Sequence, residues 1–246
     1  MRMVFYNMRY GSGTGVAYHL PFPMAGFLRP AKKNLARITE FLRGANPDII
    51  GLVEVDNGSF LRSRKQCQAD RIAHELGHFH SYCSKYAPGS LAGRLPMMAR
   101  QGNAILARDT MRAVKPHYFR VGVKRLVLEA ELPELSIFVV HLSIQQQDRA
   151  EQLRHLREIM RGGRKPAIVA GDFNTFNGEQ ELHEFMNAAS LSNASLHGQP
   201  SWPARAPRHQ LDFILHSRQI RIRHFEIPDI HLSDHRPLLC DFDIGT

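Results

Sequence analysis

Short apolar runs alternate with amphipathic stretches along this chain. Residues 2–8 alternate as a strand does and end at Asn7. Residues 48–55 carry Ile49-Ile50-Gly51-Leu52-Val53, a continuous branched run typical of a strand buried on both faces, and it stops at Glu54. Between them, a helix opening at Pro30 sets Leu35, Ile38 and Leu42 on one face, with Arg and Lys opposite. A second helix, residues 66–76, is stopped by Gly77. Residues 79–86 read as extended. Four strands then follow in succession, at 103–108, 112–119, 124–132 and 135–141, which predicts one antiparallel segment. A charged amphipathic helix at 149–160 leads into the strand Ile168-Val169-Ala170-Gly171-Asp172. Another helix covers 179–189, and strands at 210–215, 220–227 and 238–244 complete the series.

The longest unpatterned stretch, residues 9–29, holds Gly11-Ser12-Gly13-Thr14-Gly15 and an apolar patch with Phe22, Pro23, Met24 and Phe27. Its glycine spacing is wrong for a dinucleotide-binding turn, and no helix opens directly after it. A loop of this length inside a compact domain is usually functional.

Composition narrows the class. The 246 residues, 43% of them hydrophobic, suit one large α/β domain spanning 1–246. No apolar run approaches bilayer length, and residues 1–7 lack the apolar region of a signal peptide. Cys67, Cys83 and Cys240 are odd in number and lack metal-ligand spacing, so they read as reduced thiols of a cytoplasmic protein. A net charge of +9 predicts a polyanionic partner, either nucleic acid or an anionic lipid surface on which the protein would sit peripherally. No obligate protein partner is expected.

Candidate chemistry gathers where strands end. In Gly171-Asp172-Phe173-Asn174, alternation aims one carboxylate and one carboxamide the same way, an arrangement able to hold a water and a phosphoryl oxygen or to form a plain Asx turn. Glu54 emerges from a buried strand, where a carboxylate needs a cation or hydrogen bonds. Asn7 and Glu54 offer hard oxygen donors suited to Mg²⁺ or Mn²⁺. His141 ends an apolar strand, and a histidine there is often a satisfied structural residue. Asp212, inside an apolar strand, needs a partner such as a histidine. Ser233-Asp234-His235 adds an acid and an imidazole.

Tyr6-Asn7, Leu52-Val53-Glu54-Val55, Gln101 to Leu106, Val140-His141-Leu142, Gly171-Asp172-Phe173-Asn174, Leu211 to Ile214 and Ser233-Asp234-His235 together resemble the endonuclease/exonuclease/phosphatase superfamily. They occur in family order over nearly the whole chain. The resemblance implies a four-layer α/β sandwich, two mixed sheets face to face with helices outside, of the DNase I-like type. It also implies Mg²⁺-dependent (alternatively Mn²⁺-dependent) hydrolysis of a phosphodiester by in-line water attack. Glu54 would be the principal metal ligand, with Asn7 and Asp234 beside it. Asp172 would orient or deprotonate the water, and Asn174 would bind a phosphoryl oxygen. His235, held by Asp212, would contact the phosphate, while His141 would stabilise charge or protonate the leaving oxygen. Arg125 and Asn103 are further phosphate-binding candidates.

Arg9 stands where abasic-site endonucleases of the superfamily carry an acid, and His141 where they lack a histidine. Both point away from abasic-site repair. A lipid or small phosphodiester is the preferred substrate, on Phe22, Pro23, Met24 and Phe27, with a nuclease acting on DNA or RNA as the alternative. A nuclease is suggested by Lys85, Arg94, Arg100, Arg205 and Arg208 in loops flanking the motifs, and by Trp202 as a stacking surface. His74-Glu75-Leu76-Gly77-His78 matches the H-E-x-x-H zinc-protease pattern. Gly77 ends the helix inside that motif and no third ligand follows at a familiar spacing, so the match reads as coincidence.

Overall fold

The computed structural model describes residues 1–14, 31–59, 65–86, 98–123 and 125–245; Gly15, Phe22, Pro23, Met24, Phe27, Pro30, Arg94 and Lys124 lie outside the described residues. The first sheet joins β1 (Arg2–Asn7), β2 (Ile49–Asp56), β3 (Phe79–Ser84), β4 (Gln101–Ala107), β11 (Ile220–Glu226) and β12 (Leu238–Ile244), in the order β11-β12-β1-β2-β4-β3. The second joins β5 (Ala113–Tyr118), β6 (Leu126–Glu131), β7 (Ser136–His141), β8 (Ala167–Asp172), β9 (Leu191–Asn193) and β10 (Asp212–Ser217), in the order β5-β6-β7-β8-β10-β9. Each sheet has one parallel pair, β1 with β2 and β7 with β8, and antiparallel neighbours otherwise.

Strand alternation builds the layers. In β1, Met3 and Phe5 point into a core shared with Ile137, Val139, Ile168 and Ala170 of the second sheet. Val4 and Tyr6 point the other way, onto Leu35, Ile38 and Leu42 of α1 (Lys32–Ala45) and Ile72 of α2 (Gln68–Leu76). On the far side, Val140, Val169 and Phe213 pack against Leu153 and Leu156 of α3 (Gln146–Met160) and Phe185 of α4 (His183–Ala189). Helix, sheet, sheet, helix is the four-layer sandwich expected from the resemblance.

Four local readings change. Strand β4 leaves the expected antiparallel run and sits between β2 and β3 of the first sheet, so only β5, β6 and β7 are consecutive. It is buried along its whole length, and the apolar run Ala104 to Ala107 marks a central strand without saying in which sheet. The expected helix at 179–189 divides into a 3₁₀ turn, Glu179–Leu182, and α4. Helix α3 begins earlier than expected, because Gln146 and Gln147 carry no apolar period. Asp212 opens its strand and does not lie inside it, and β9 is too short for any periodicity to announce.

Close backbone approach fixes two glycines next to site residues. A Cβ on Gly171 would lie 2.4 Å from Val140 Cγ2, and one on Gly102 would lie 1.9 Å from the Cys83 carbonyl oxygen. Among the described residues, no helix is long and apolar enough to cross a membrane. All three cysteines are free thiols.

Candidate active site

Sheet register brings three site residues into one row. His141 ends β7 opposite Asp172 at the end of parallel β8, and Asp212 opens β10 opposite the same Asp172. Asn7 ends β1 in the other sheet, and its Nδ2 donates to Asp172 Oδ2 at 3.0 Å. His141 Nε2 lies 3.2 Å from that oxygen and His235 Nε2 3.8 Å from it. Glu54 Oε1 stands 4.0 Å from His141 Nδ1 on the opposite edge of the imidazole. Residues scattered over the chain therefore converge between the two sheets, with Asp172 at the focus.

Two backbone irregularities aim this cluster. Strand β2 slips register against β4 between Leu52 and Val55, and Glu54 within that bulge has φ 54°. Asn174 has φ 53°, its backbone N–H bonds Asp172 Oδ1 at 3.0 Å, and its Nδ2 donates to the Leu142 carbonyl at 2.9 Å. Asn and strained conformations of this kind gather at functional sites.

The electrostatics centre on a buried pair. His235 Nδ1 meets Asp212 Oδ2 at 2.7 Å, and Ser201 Oγ donates to the same oxygen at 2.5 Å. Burial alone would push the His235 imidazole down, but the carboxylates of Asp212 and then Asp172 outweigh it and lift the group to about 10. Burial pushes the Asp212 carboxyl up, opposed by the charge and hydrogen bond of His235. The ring is clamped on one side by Asp212 and faces Asp172 on the other. Asp212 Oδ1 is buried and has no hydrogen-bond partner.

Residues 4–235 match the Endonuclease/Exonuclease/phosphatase family. The chain belongs to this family. Members are hydrolases of phosphoester bonds and generally depend on a divalent metal. The human Nocturnin catalytic domain with bound sulfate anion superimposes with a TM-score of 0.70 at 21% identity, covering 100% of this chain and 94% of that one. A Bacteroides thetaiotaomicron mannosyl-6-phosphatase gives 0.71 at 15% identity, covering 99% and 100%. D. rerio TDP2 complexed with single-strand DNA product gives 0.71 at 15% identity, covering 99% and 98%. At such identities the likeness is one of fold. No curated protein matches the chain.

The remaining expected residues of this family member surround the cluster. Asn103 and Arg125 line a small pocket with Glu54, His141, Tyr10 and Lys85. Asn103 is buried, and its Nδ2 has no hydrogen-bond partner among the described residues. Arg125 is exposed and its Nε donates to the Gly122 carbonyl. Asp234 lies with its Oδ2 3.4 Å from Arg9 Nε, while the Arg9 backbone N–H donates to Asn7 Oδ1 at 3.1 Å. Of the flanking basic residues, Arg100 is tied to the Asn57 carbonyl at 3.0 Å and Lys85 reaches the Tyr10 hydroxyl at 3.3 Å.

Hard oxygens fit a small divalent cation here. Glu54, Asn7 and Asp234 each carry a hard oxygen of the kind Mg²⁺ or Mn²⁺ prefers. Ligand atoms of Asp172, Asp212 and His235 also lie within 4.8 Å of one another, a buried acidic and imidazole group that could hold a metal ion.

Sequence reasoning did not anticipate Ser201, fully buried against Asp212, or the bulge that turns Glu54. A serine eleven residues before a strand carries no periodic signal. The H-E-x-x-H match dissolves: α2 ends at Leu76, Gly77 turns the chain with φ 70°, and the His78 ring is held between the carbonyls of Leu76 and Pro47. Glu75 is ion-paired with Arg71 at 3.0 Å on the surface.

Proposed function

We propose that this chain is a divalent-metal-dependent phosphodiesterase that drives water in line at phosphorus. The observation supporting it most is the convergence of an amide and two imidazoles from both sheets on one oxygen, Asp172 Oδ2. Glu54 and Asn7 would hold Mg²⁺, with Mn²⁺ as substitute, and Asp234 would assist from its pair with Arg9. The bound cation would polarise a phosphoryl oxygen and offset its charge. Asp172 aligns the attacking water and takes its proton. Asn174 and Asn103 donate to phosphoryl oxygens, and the imidazolium of His235, fixed by Asp212, stabilises the charge that grows there. His141 delivers a proton to the leaving oxygen, and Arg125 borders the pocket as a phosphate contact.

The support for a lipid or small phosphodiester, Phe22 to Phe27, lies outside the described residues. A nucleic-acid substrate is favoured by a ring cluster beside the cleft. Phe176, Trp202 and His209 stand with centroids 5.7–5.8 Å apart, two residues from Asn174 and one from Ser201. Phe176 remains 39% exposed, a surface on which a base can stack.

Hydrolysis of bis(p-nitrophenyl) phosphate tests the reaction class. Asp172→Ala and His235→Ala are expected to lower turnover by roughly 10³-fold with the circular dichroism unchanged. Chelation by EDTA should abolish turnover, and Mg²⁺ or Mn²⁺ should restore it. Retained activity in either variant would refute the roles assigned. Turnover of plasmid DNA, RNA, phosphoinositides, sphingomyelin and phosphatidylglycerol, side by side, identifies the substrate.

A further inference from the structure

The second sheet has a basic pole as well as a catalytic one. Ser136 and Ala167, which open β7 and β8, line a groove of about 960 Å³, whereas His141 and Asp172 end the same strands. At the rise of a strand, the two places are on the order of 17 Å apart. The groove is bounded by the C-terminal end of α3, the turn after it, β5 and the turn after β10.

Its cations fall into two kinds. Lys165 is held by Glu131 at 2.6 Å and Arg154 by Glu151, so both are neutralised within the protein. Lys115, Arg157, Arg161, Arg164 and Arg218 are exposed and make no ion pair among the described residues. The groove's acids are only Glu129, already bonded to His117 at 2.7 Å, and Glu158. Like charges gathered from separate elements repel, and an anionic partner relieves that repulsion.

We propose that this groove binds the sugar-phosphate backbone of a single-stranded nucleic acid, independently of the catalytic cleft. Concavity and composition favour a strand over a membrane. Among the described residues, none of the exposed large apolar side chains lies in the groove, which disfavours insertion among lipid tails. Half-buried Ile159 and Met160 supply apolar surface, and guanidinium planes stack on bases while contacting phosphates. The proposal stands whether or not the cleft is a phosphodiesterase.

The test is fluorescence anisotropy of a labelled oligothymidylate with the full chain in EDTA, titrated at several salt concentrations. The triple variant Arg157→Ser, Arg161→Ser, Arg164→Ser should weaken binding at least about tenfold and reduce the salt slope by about 2, near 0.7 per lost contact. Arg218→Ser, on a different element, should shift both in the same direction by less. Asp172→Asn should bind like the wild type, and the triple variant should hydrolyse bis(p-nitrophenyl) phosphate at the wild-type rate. Unchanged affinity in the triple variant and in Arg218→Ser, absence of binding by the wild type at low salt, or loss confined to Asp172→Asn would each overturn the proposal. So would a triple variant that still binds the strand but no longer binds phosphatidylglycerol vesicles, an outcome assigning the groove to lipid.

Discussion

Helix α3 carries arginines of two kinds, one at each end. Arg149 in its first turn is 1% exposed, bonds Glu181 through Nε at 3.1 Å and donates through Nη1 to the carbonyls of Ser143 and Ile144 at 3.0 and 2.9 Å. Arg157 and Arg161 at the other end face solvent with no ion-pair partner among the described residues. A cation near a helix N-terminus is unfavourable, whereas the last turn welcomes one, so the dipole opposes the buried residue and supports the exposed ones. The guanidinium that is hardest to place is the one surrounded on all sides. Burial and saturation mark an arginine that shapes the chain beside the cleft, and exposure without a partner marks arginines available to something outside.

Three measurements press on that contrast. Arg149→Ala leaves Glu181 buried and uncompensated and should destabilise the protein by about 3–5 kcal/mol in urea unfolding. Arg149→Met combined with Glu181→Leu should recover most of it, because an apolar pair leaves no orphaned charge. Arg157→Ala should change stability by no more than about 0.5 kcal/mol in the same assay, as expected of a partnerless surface side chain. A cost above 2 kcal/mol there would break the comparison.

The mildest effect concerns a neutral group. Burial, and secondarily Asp241, push the Cys240 thiol up to about 12, and burial also raises those of Cys67 and Cys83. A folded-state value above the usual 9.0 means the contribution to stability is complete below that pH and is lost as pH climbs toward 12. Iodoacetamide at pH 8 should therefore modify half-buried Cys67 and Cys83 well before Cys240, as mass spectrometry of tryptic peptides would read.

Much of the Asp172 cluster was legible along the chain, and the basic groove was not. Asp212 in an apolar setting demands a partner, and His235 meets that demand at 2.7 Å. Asn7, His141 and Asp172 stand where strands end, and the extended period lets local sequence locate such ends. The bulge at Glu54 escapes because one extra residue in a strand leaves the apolar pattern intact. The membership of β4 escapes because pairing between distant strands is decided by packing. The groove escapes for a related reason: Lys115, Arg161 and Arg218 belong to three separate elements, and a net charge of +9 reports their sum without their meeting place.

The first sheet seats β1 between β2 and β12, with β11 outside β12. During synthesis, Arg2–Asn7 leaves the ribosome before Leu238–Ile244 and presents a bare edge until that strand arrives to pair with it. Through that interval the nascent chain holds an unprotected template for neighbouring polypeptides, and only the arrival of β12 closes it.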